Sequence, residues 1–151
     1  MSEVYRTAPF DAPTESAALV VHCSDPRYQP HFQEFLTKGL GLPRYSLIAL
    51  PGGPQPLTLL DYLPKFSWAG WRWVSFMVDL SQPSRVVLIN HHDCRWYHDA
   101  RFGHDPAQIE KRQISDLQKV RREMLDRFGA RRVELYYARL DANRVSFELV
   151  P

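Results

Sequence analysis

Long apolar runs, a strong excess of one charge and a large set of cysteines are all missing from this chain of 151 residues. No apolar stretch approaches the roughly 20 residues that a membrane-spanning helix needs, so we expect no membrane segment. The formal net charge of +2 is too small to predict a nucleic-acid or anionic membrane partner. There are two cysteines, Cys23 and Cys94, and in the cytoplasm, the default location, both should be reduced, which favours a metal site or a reactive thiol over a disulfide.

The N-terminal residues carry acids and prolines and lack a basic start followed by an apolar block, so no secretory signal is predicted and the default location is the cytoplasm. Hydrophobic residues make up 44% of the chain, which is ordinary globular composition. This length predicts one domain with a single sizeable core. We therefore expect an irregular segment over residues 1–16 and one domain over residues 17–151.

Short apolar runs alternate with segments of helical periodicity. The predicted strands are Ala17–His22, Tyr45–Leu50, Arg85–Asn90, Arg132–Arg139 and Arg144–Val150. The predicted helices lie after Pro30, from about Ser67 to Leu80, and from Asp105 to Gly129, with a short helical piece over Thr58–Leu63. This alternation predicts an α/β fold with a mostly parallel sheet flanked by helices, and a last strand that adds antiparallel after a short turn.

Two of the predicted helices have clear sequence patterns. In the helix from about Ser67 to Leu80, one helical stripe contains Trp68, Trp71, Ser75 and Val78. In the helix from Asp105 to Gly129, Asp105 is a candidate cap and Pro106 suits the first helical position. Its predicted apolar face consists of Ile114, Leu117, Val120, Met124, Leu125 and Phe128. Basic residues on this helix are interleaved with acids, which indicates a solvated surface and not a nucleic-acid interface.

In a parallel sheet, ligands bind beyond the carboxyl ends of the strands, and both cysteines occur there. Cys23 follows the first strand, and the run His91-His92-Asp93-Cys94 follows the third. Thiolate and imidazole are the ligands that zinc prefers, and three of them leave a fourth position for water or a carboxylate. The spacing favours His91 over His92 as the imidazole. The alternative is that both cysteines are buried small apolar residues.

The loop after Cys23 contains a carboxylate at Asp25 and a guanidinium at Arg27. Asp25 either accepts a hydrogen bond from metal-bound water or binds the metal itself. Arg27 is placed to hold Asp25 in a charge-assisted, bidentate contact. Asp93 has two readings, a first-turn helix acid or a site residue, and His98 is a candidate proton carrier.

These motifs resemble those of the β-class carbonic anhydrases, which carry C-x-D-x-R after the first strand and H-x-x-C after a later one. Here they read CSDPR at Cys23–Arg27 and HHDC at His91–Cys94. A glycine turn, Gly52-Gly53, follows the second strand as in the family. The resemblance extends from about Ala17 to Val150. Where the family has glycine after the second cysteine, this chain has Arg95 and then Trp96.

The resemblance implies a β-carbonic-anhydrase-like fold with one zinc ion on Cys23, His91 and Cys94. It implies hydration of carbon dioxide to bicarbonate through zinc-bound hydroxide, with Asp25 and Arg27 as catalytic residues. It also implies a homodimer or a higher homo-oligomer. The expected pocket includes Gly52, Gly53, Arg95 and Trp96. Two alternatives stay open, namely hydrolysis of carbon disulfide or carbonyl sulfide, and a non-catalytic zinc-binding interaction module.

Overall fold

The computed structural model describes residues 2–9, 13, 15–58, 63–99, 105–129 and 131–151. Within these residues there are five strands: β1 (Ala18–Cys23), β2 (Ser46–Leu50), β3 (Arg85–His91), β4 (Arg132–Asp141) and β5 (Arg144–Val150). The same described ranges contain three α-helices: α1 (Gln29–Glu34), α2 (Pro64–Ser81) and α3 (Ile109–Phe128). A π-helical turn, Phe35–Gly39, continues α1, and 3₁₀ turns occur at Gln55–Thr58 and Pro106–Gln108.

The strands form one sheet in the order β2-β1-β3-β4-β5. The first three neighbouring pairs are parallel, and β4 and β5 pair antiparallel. This confirms the predicted mostly parallel sheet with an added antiparallel strand. Strand β1 and the centre of β3, Val86–Ile89, are buried and mostly apolar because both faces of the sheet are covered.

Two apolar clusters cover the two faces of the sheet. One face packs against α2 and α3 through Val74, Val78, Leu117, Val120 and Met124. The other face packs against α1 and the turn after it through Tyr28, Phe32 and Leu36. Each fully buried side chain of this size contributes about 1.5 to 3 kcal/mol of transfer free energy, so these clusters hold the strand ends in register.

The buried stripe of α2 differs from the predicted one. Trp71 and Val78 are buried as expected, whereas Trp68 is 73% exposed. Small residues determine which side of α2 is buried. Gly70 packs so closely on Leu57 that a Cβ on Gly70 would lie 2.7 Å from the Leu57 side chain. The Ser67 hydroxyl and the Trp71 indole N–H both donate to the Leu57 carbonyl. Close approach to the 3₁₀ turn therefore rotates Trp68 into solvent.

The start of α3 agrees with the sequence pattern, because the Asp105 carboxylate accepts a hydrogen bond from the Ala107 N–H at 3.0 Å. The α-helix itself begins later, at Ile109, after the 3₁₀ turn. Leu125 was predicted on the apolar face but is 40% exposed. Of the short helical piece expected over Thr58–Leu63, residues 59–62 lie outside the described residues. No helix within the described ranges is long and apolar enough to cross a membrane.

Candidate metal centre

The carboxyl ends of β1 and β3 bring the two predicted motifs together. Cys23 is the last residue of β1, and His91 is the last residue of β3. These strands are parallel neighbours, so both residues lie at one edge of the sheet. After β3 the chain turns sharply, with Asp93 in the left-handed region at φ +50°. This turn returns Cys94 to the sheet edge.

Cys23, His91 and Cys94 form a buried cluster that could hold one metal ion. One ligand atom from each residue lies within 4.8 Å of the others, and the two sulfur atoms are 3.8 Å apart. Two thiolates bound tetrahedrally at the usual Zn–S length have their sulfurs about 3.8 Å apart. None of the three residues is more than 4% exposed. The spacing and the donor set therefore fit a tetrahedral metal.

The imidazole of His91 is oriented for metal binding. Its Nδ1 lies 2.8 Å from the His92 carbonyl oxygen. A carbonyl oxygen can only accept a hydrogen bond, so Nδ1 is the donor and carries a proton. Its Nε2 is then an unprotonated acceptor, and it is buried without a hydrogen-bond partner among the described residues. Buried polar atoms are almost always paired, so an orphaned imidazole nitrogen facing two thiols is a strong sign of a ligand atom.

The two cysteines are within hydrogen-bonding distance of each other through their sulfur atoms. A hydrogen bond from the Cys94 thiol favours the thiolate at Cys23 and lowers the pKa of Cys23. The same hydrogen bond, with burial, raises the pKa of Cys94. A cation between the sulfurs would replace the proton of that hydrogen bond and favour the thiolate at both positions.

Beside this cluster, Asp25 and Arg27 make the predicted fork. Arg27 Nε donates to Asp25 Oδ1 at 3.0 Å, and Nη2 donates to Oδ2 at 2.6 Å. The Arg27 backbone N–H also donates to Oδ1, at 3.0 Å. These hydrogen bonds lower the pKa of the Asp25 carboxyl, so it is ionised at neutral pH. The Asp25 side chain is only 9% exposed, and its orientation is therefore well defined.

Arg27 also contacts the second motif, which the sequence did not indicate. Its Nη1 donates to Asp93 Oδ2, and its Nη2 donates to the Asp93 carbonyl oxygen, both at 2.9 Å. Asp93 lies in a turn and not in the first turn of a helix, and its role in the site stays a prediction. Arg27 connects the loop after β1 to the loop after β3. The two motifs are thus held together by a charged contact as well as by the sheet.

Three further side chains donate hydrogen bonds to backbone carbonyls at or beside the candidate metal ligands. Gln113 on α3 donates to the His91 carbonyl, Tyr28 donates to the His92 carbonyl, and Gln29 donates to the Cys23 carbonyl, all at 2.8 to 2.9 Å. The sequence motifs did not indicate these three residues. One signal was available, because Gln113 occupies a core position in the apolar periodicity of α3 yet is polar.

A pocket of about 560 Å³ opens onto the cluster. It is lined by Cys23, Ser24, Asp25, Pro26, Arg27, Pro51, Arg95, Trp96 and Asp99. Of the four predicted pocket residues, Arg95 and Trp96 line it. Gly52 and Gly53 lie in the adjoining turn, where a Cβ on Gly53 would be 3.1 Å from the Cys23 backbone nitrogen. This turn therefore packs against the site as a support.

The remaining candidates lie near the second loop. His98 is partly exposed, with its Nε2 atom 3.8 Å from Asp93 Oδ1. His92 is exposed, and its ring is not part of the buried cluster. His98 as a proton carrier stays a prediction, whereas His91 and not His92 contributes the imidazole to the cluster.

Two solved structures with a similar architecture are carbonic anhydrases. The chain matches a carbonic anhydrase from Streptococcus mutans at 14% identity and TM-score 0.62, over 95% of this chain and 88% of that one. It matches β-carbonic anhydrase isoform I from Trichomonas vaginalis at 15% identity and TM-score 0.55, over 96% and 88% of the two chains. No protein-family model matches the sequence, and no curated protein matches it. The chain therefore has the β-carbonic anhydrase fold, as its two motifs predicted.

Proposed function

We propose that this protein is a zinc-dependent lyase that hydrates carbon dioxide to bicarbonate. The observation that carries the proposal is the buried set of Cys23, His91 and Cys94, with an orphaned imidazole nitrogen, directly beside the Asp25–Arg27 fork. Zinc bound by these three ligands supplies Lewis acidity that makes water nucleophilic near neutral pH. The fold shared with carbonic anhydrases supports the same reaction.

In this proposal Asp25 positions the nucleophile. Its ionised carboxylate accepts a hydrogen bond from the attacking water and orients an oxygen lone pair towards the substrate carbon. A carbon–oxygen bond forms, one C=O π bond of carbon dioxide opens, and one proton leaves to solvent. Arg27 keeps Asp25 oriented and ionised. The fork favours water, and not Asp25, in the fourth metal position, because both oxygens of Asp25 accept hydrogen bonds from Arg27.

The first experiment is metal analysis of the purified protein, followed by stopped-flow hydration of carbon dioxide. We expect about one zinc per chain and activity that falls roughly 100-fold or more in Asp25→Ala with the zinc retained. Glu34→Ala is a matched control, because Glu34 is an exposed carboxylate in an ion pair with Lys38. A protein that takes up no zinc, even after reconstitution, refutes the proposal. Activity unchanged in Asp25→Ala refutes the role of Asp25.

A second candidate function is a zinc-binding interaction module. Its support is the solvent-facing side of α2, where Phe66, Trp68, Trp73, Phe76 and Leu80 are each 48–73% exposed. Exposed aromatic side chains of this density are typical of a partner surface. Full zinc occupancy with no detectable hydration of carbon dioxide, carbon disulfide or carbonyl sulfide would favour this function over the lyase.

The same side of α2 supports a homodimer within the lyase proposal, since a second copy of the chain would cover these aromatic side chains. Light scattering coupled to size-exclusion chromatography distinguishes the dimer from the monomer. A mass of 17.6 kDa in solution would refute it. We also propose a cytoplasmic location, where both cysteines stay reduced and available to the metal.

A further inference from the structure

Trp96 occupies an unusual place, because it reaches across the end of β1. It lies in the loop after β3, yet it contacts Gly52 in the turn after β2. In the sheet order β2-β1-β3, these two elements flank the strand that ends in Cys23. Neighbouring strands are about 4.8 Å apart, so the distance across β1 is about 10 Å, which requires a long side chain. The indole therefore lies directly beyond Cys23.

The contact between Trp96 and Gly52 depends on the absence of a side chain at position 52. A Cβ on Gly52 would lie 2.1 Å from Trp96 Cδ1 and 2.7 Å from Trp96 Nε1. Gly52 also has φ +78°, a conformation that favours glycine. The glycine thus provides both the turn and a flat surface for the indole.

Trp96 is also packed against the metal cluster. It is partly buried against Cys23, Cys94, Tyr97 and Ile109. It lines the pocket through which Cys23 is reached, together with Pro51, Asp25 and Arg27. An indole fills a large area that a glycine or alanine would leave open. Trp96 is thus a wall of the approach to the metal ligands.

We propose that Trp96 determines the specificity of the site by size, admitting molecules as small as carbon dioxide and bicarbonate to the metal ligands and excluding ring-sized ones. The inference rests on the proposed function, because it assumes that a metal ion is held by Cys23, His91 and Cys94. The discrimination is by steric exclusion. The indole therefore lowers the affinity for excluded ligands and does not change the affinity for admitted ones. The substrate class is small molecules without a ring.

The test uses the full chain with cobalt(II) in place of zinc, because the visible absorption of cobalt reports directly on ligand binding at the metal. The probes are azide, which is linear and triatomic, imidazole, which is a flat ring, and benzimidazole, which is a larger ring. Dissociation constants are measured for the unmodified protein and for Trp96→Phe, Trp96→Leu and Trp96→Ala. Tyr5→Ala is the control, because Tyr5 is an exposed aromatic residue outside the site and outside α2.

We expect the two ring probes to bind Trp96→Ala at least roughly tenfold more tightly than the unmodified protein, while azide changes less than about threefold. The Phe and Leu variants should fall between, so the test stands even if Trp96→Ala does not fold. Tyr5→Ala should leave all three affinities unchanged. Circular dichroism spectra establish that each variant is folded before its affinities are compared.

Two results would refute the inference about Trp96 and leave the proposed function intact. One is a cobalt-loaded protein that binds azide but shows the same discrimination between azide and the rings in every folded variant. The other is an equal gain for azide and the rings in Trp96→Ala, which indicates a general loosening of the site. A protein that binds neither cobalt nor zinc refutes the proposed function, and the inference about Trp96 with it.

Discussion

Gly53→Ala should destabilise the protein much more than Gly41→Ala, although both glycines have a positive φ. The values are +57° at Gly53 and +64° at Gly41, so a methyl group costs about 1 to 2 kcal/mol of backbone strain at either position. At Gly41 a Cβ would meet no atom within 4 Å. The cost there is therefore the backbone term alone.

At Gly53 the added methyl also meets backbone atoms that cannot move easily. It would lie 3.0 Å from the Ile89 carbonyl oxygen and 3.1 Å from the Cys23 nitrogen. These atoms belong to β3 and β1, whose positions are fixed by the parallel ladder. Crowding of this kind typically costs about 1 to 3 kcal/mol, so Gly53→Ala should lose roughly 2 to 5 kcal/mol in total.

The assay is urea unfolding of both variants and the unmodified protein, followed by circular dichroism in the presence of a chelator. The difference between the two variants measures the crowding term, because the backbone term cancels. Competition with a chelator then measures metal affinity. It should fall in Gly53→Ala, since the displaced nitrogen belongs to Cys23, and stay unchanged in Gly41→Ala. Equal losses of stability in the two variants would refute the reasoning.

Three other substitutions test the supports of the site and the surface. Gln113→Met should cost about 2 to 4 kcal/mol in urea unfolding, because it leaves the His91 carbonyl and the Tyr137 hydroxyl without their buried partner. Asp93→Asn should lower the rate of carbon dioxide hydration about tenfold in stopped-flow assays with zinc retained, because Arg27 loses a charged anchor. Arg139→Gln should cost less than about 1 kcal/mol at pH 7, because its contact with Glu110 is partly exposed. Arg139 lowers the pKa of Glu110 in the folded protein. The cost is therefore present above the pKa of Glu110 in the unfolded chain and disappears as the pH falls through its pKa in the folded protein. A cost of Arg139→Gln that is independent of pH would contradict this reasoning.

The strands and the two motifs were predictable because they depend on local pattern. Buried parallel strands are short and continuously apolar, and runs such as Leu19–Val21 and Val86–Ile89 show this directly. The metal cluster followed from topology, since parallel strands bring the residues after them to one edge. The position of the cluster could therefore be predicted without knowledge of side-chain conformations.

The buried face of α2 was not predictable from periodicity, because large apolar side chains occur on both sides of this helix. The structure selects the side that carries Ser67 and Gly70, since only small residues allow close packing on Leu57. That choice depends on a turn outside the helix. Helical periodicity contains no information about it, so the stripe alone does not show that Trp71 is buried and Trp68 is exposed.

The contact between Arg27 and Asp93 was unpredictable for a different reason, and it bears on how the site assembles. Asp93 has a left-handed backbone that a non-glycine residue rarely adopts, and this conformation is stabilised by contacts with a residue 66 positions away. The two cysteines are 71 positions apart, so the metal cannot recruit them until the loops have met. The Arg27–Asp93 contact joins the two loops through protein groups alone. We infer that this contact lowers the entropic cost of closing the site, and that a bound metal would add stability that rises with the logarithm of the free metal concentration.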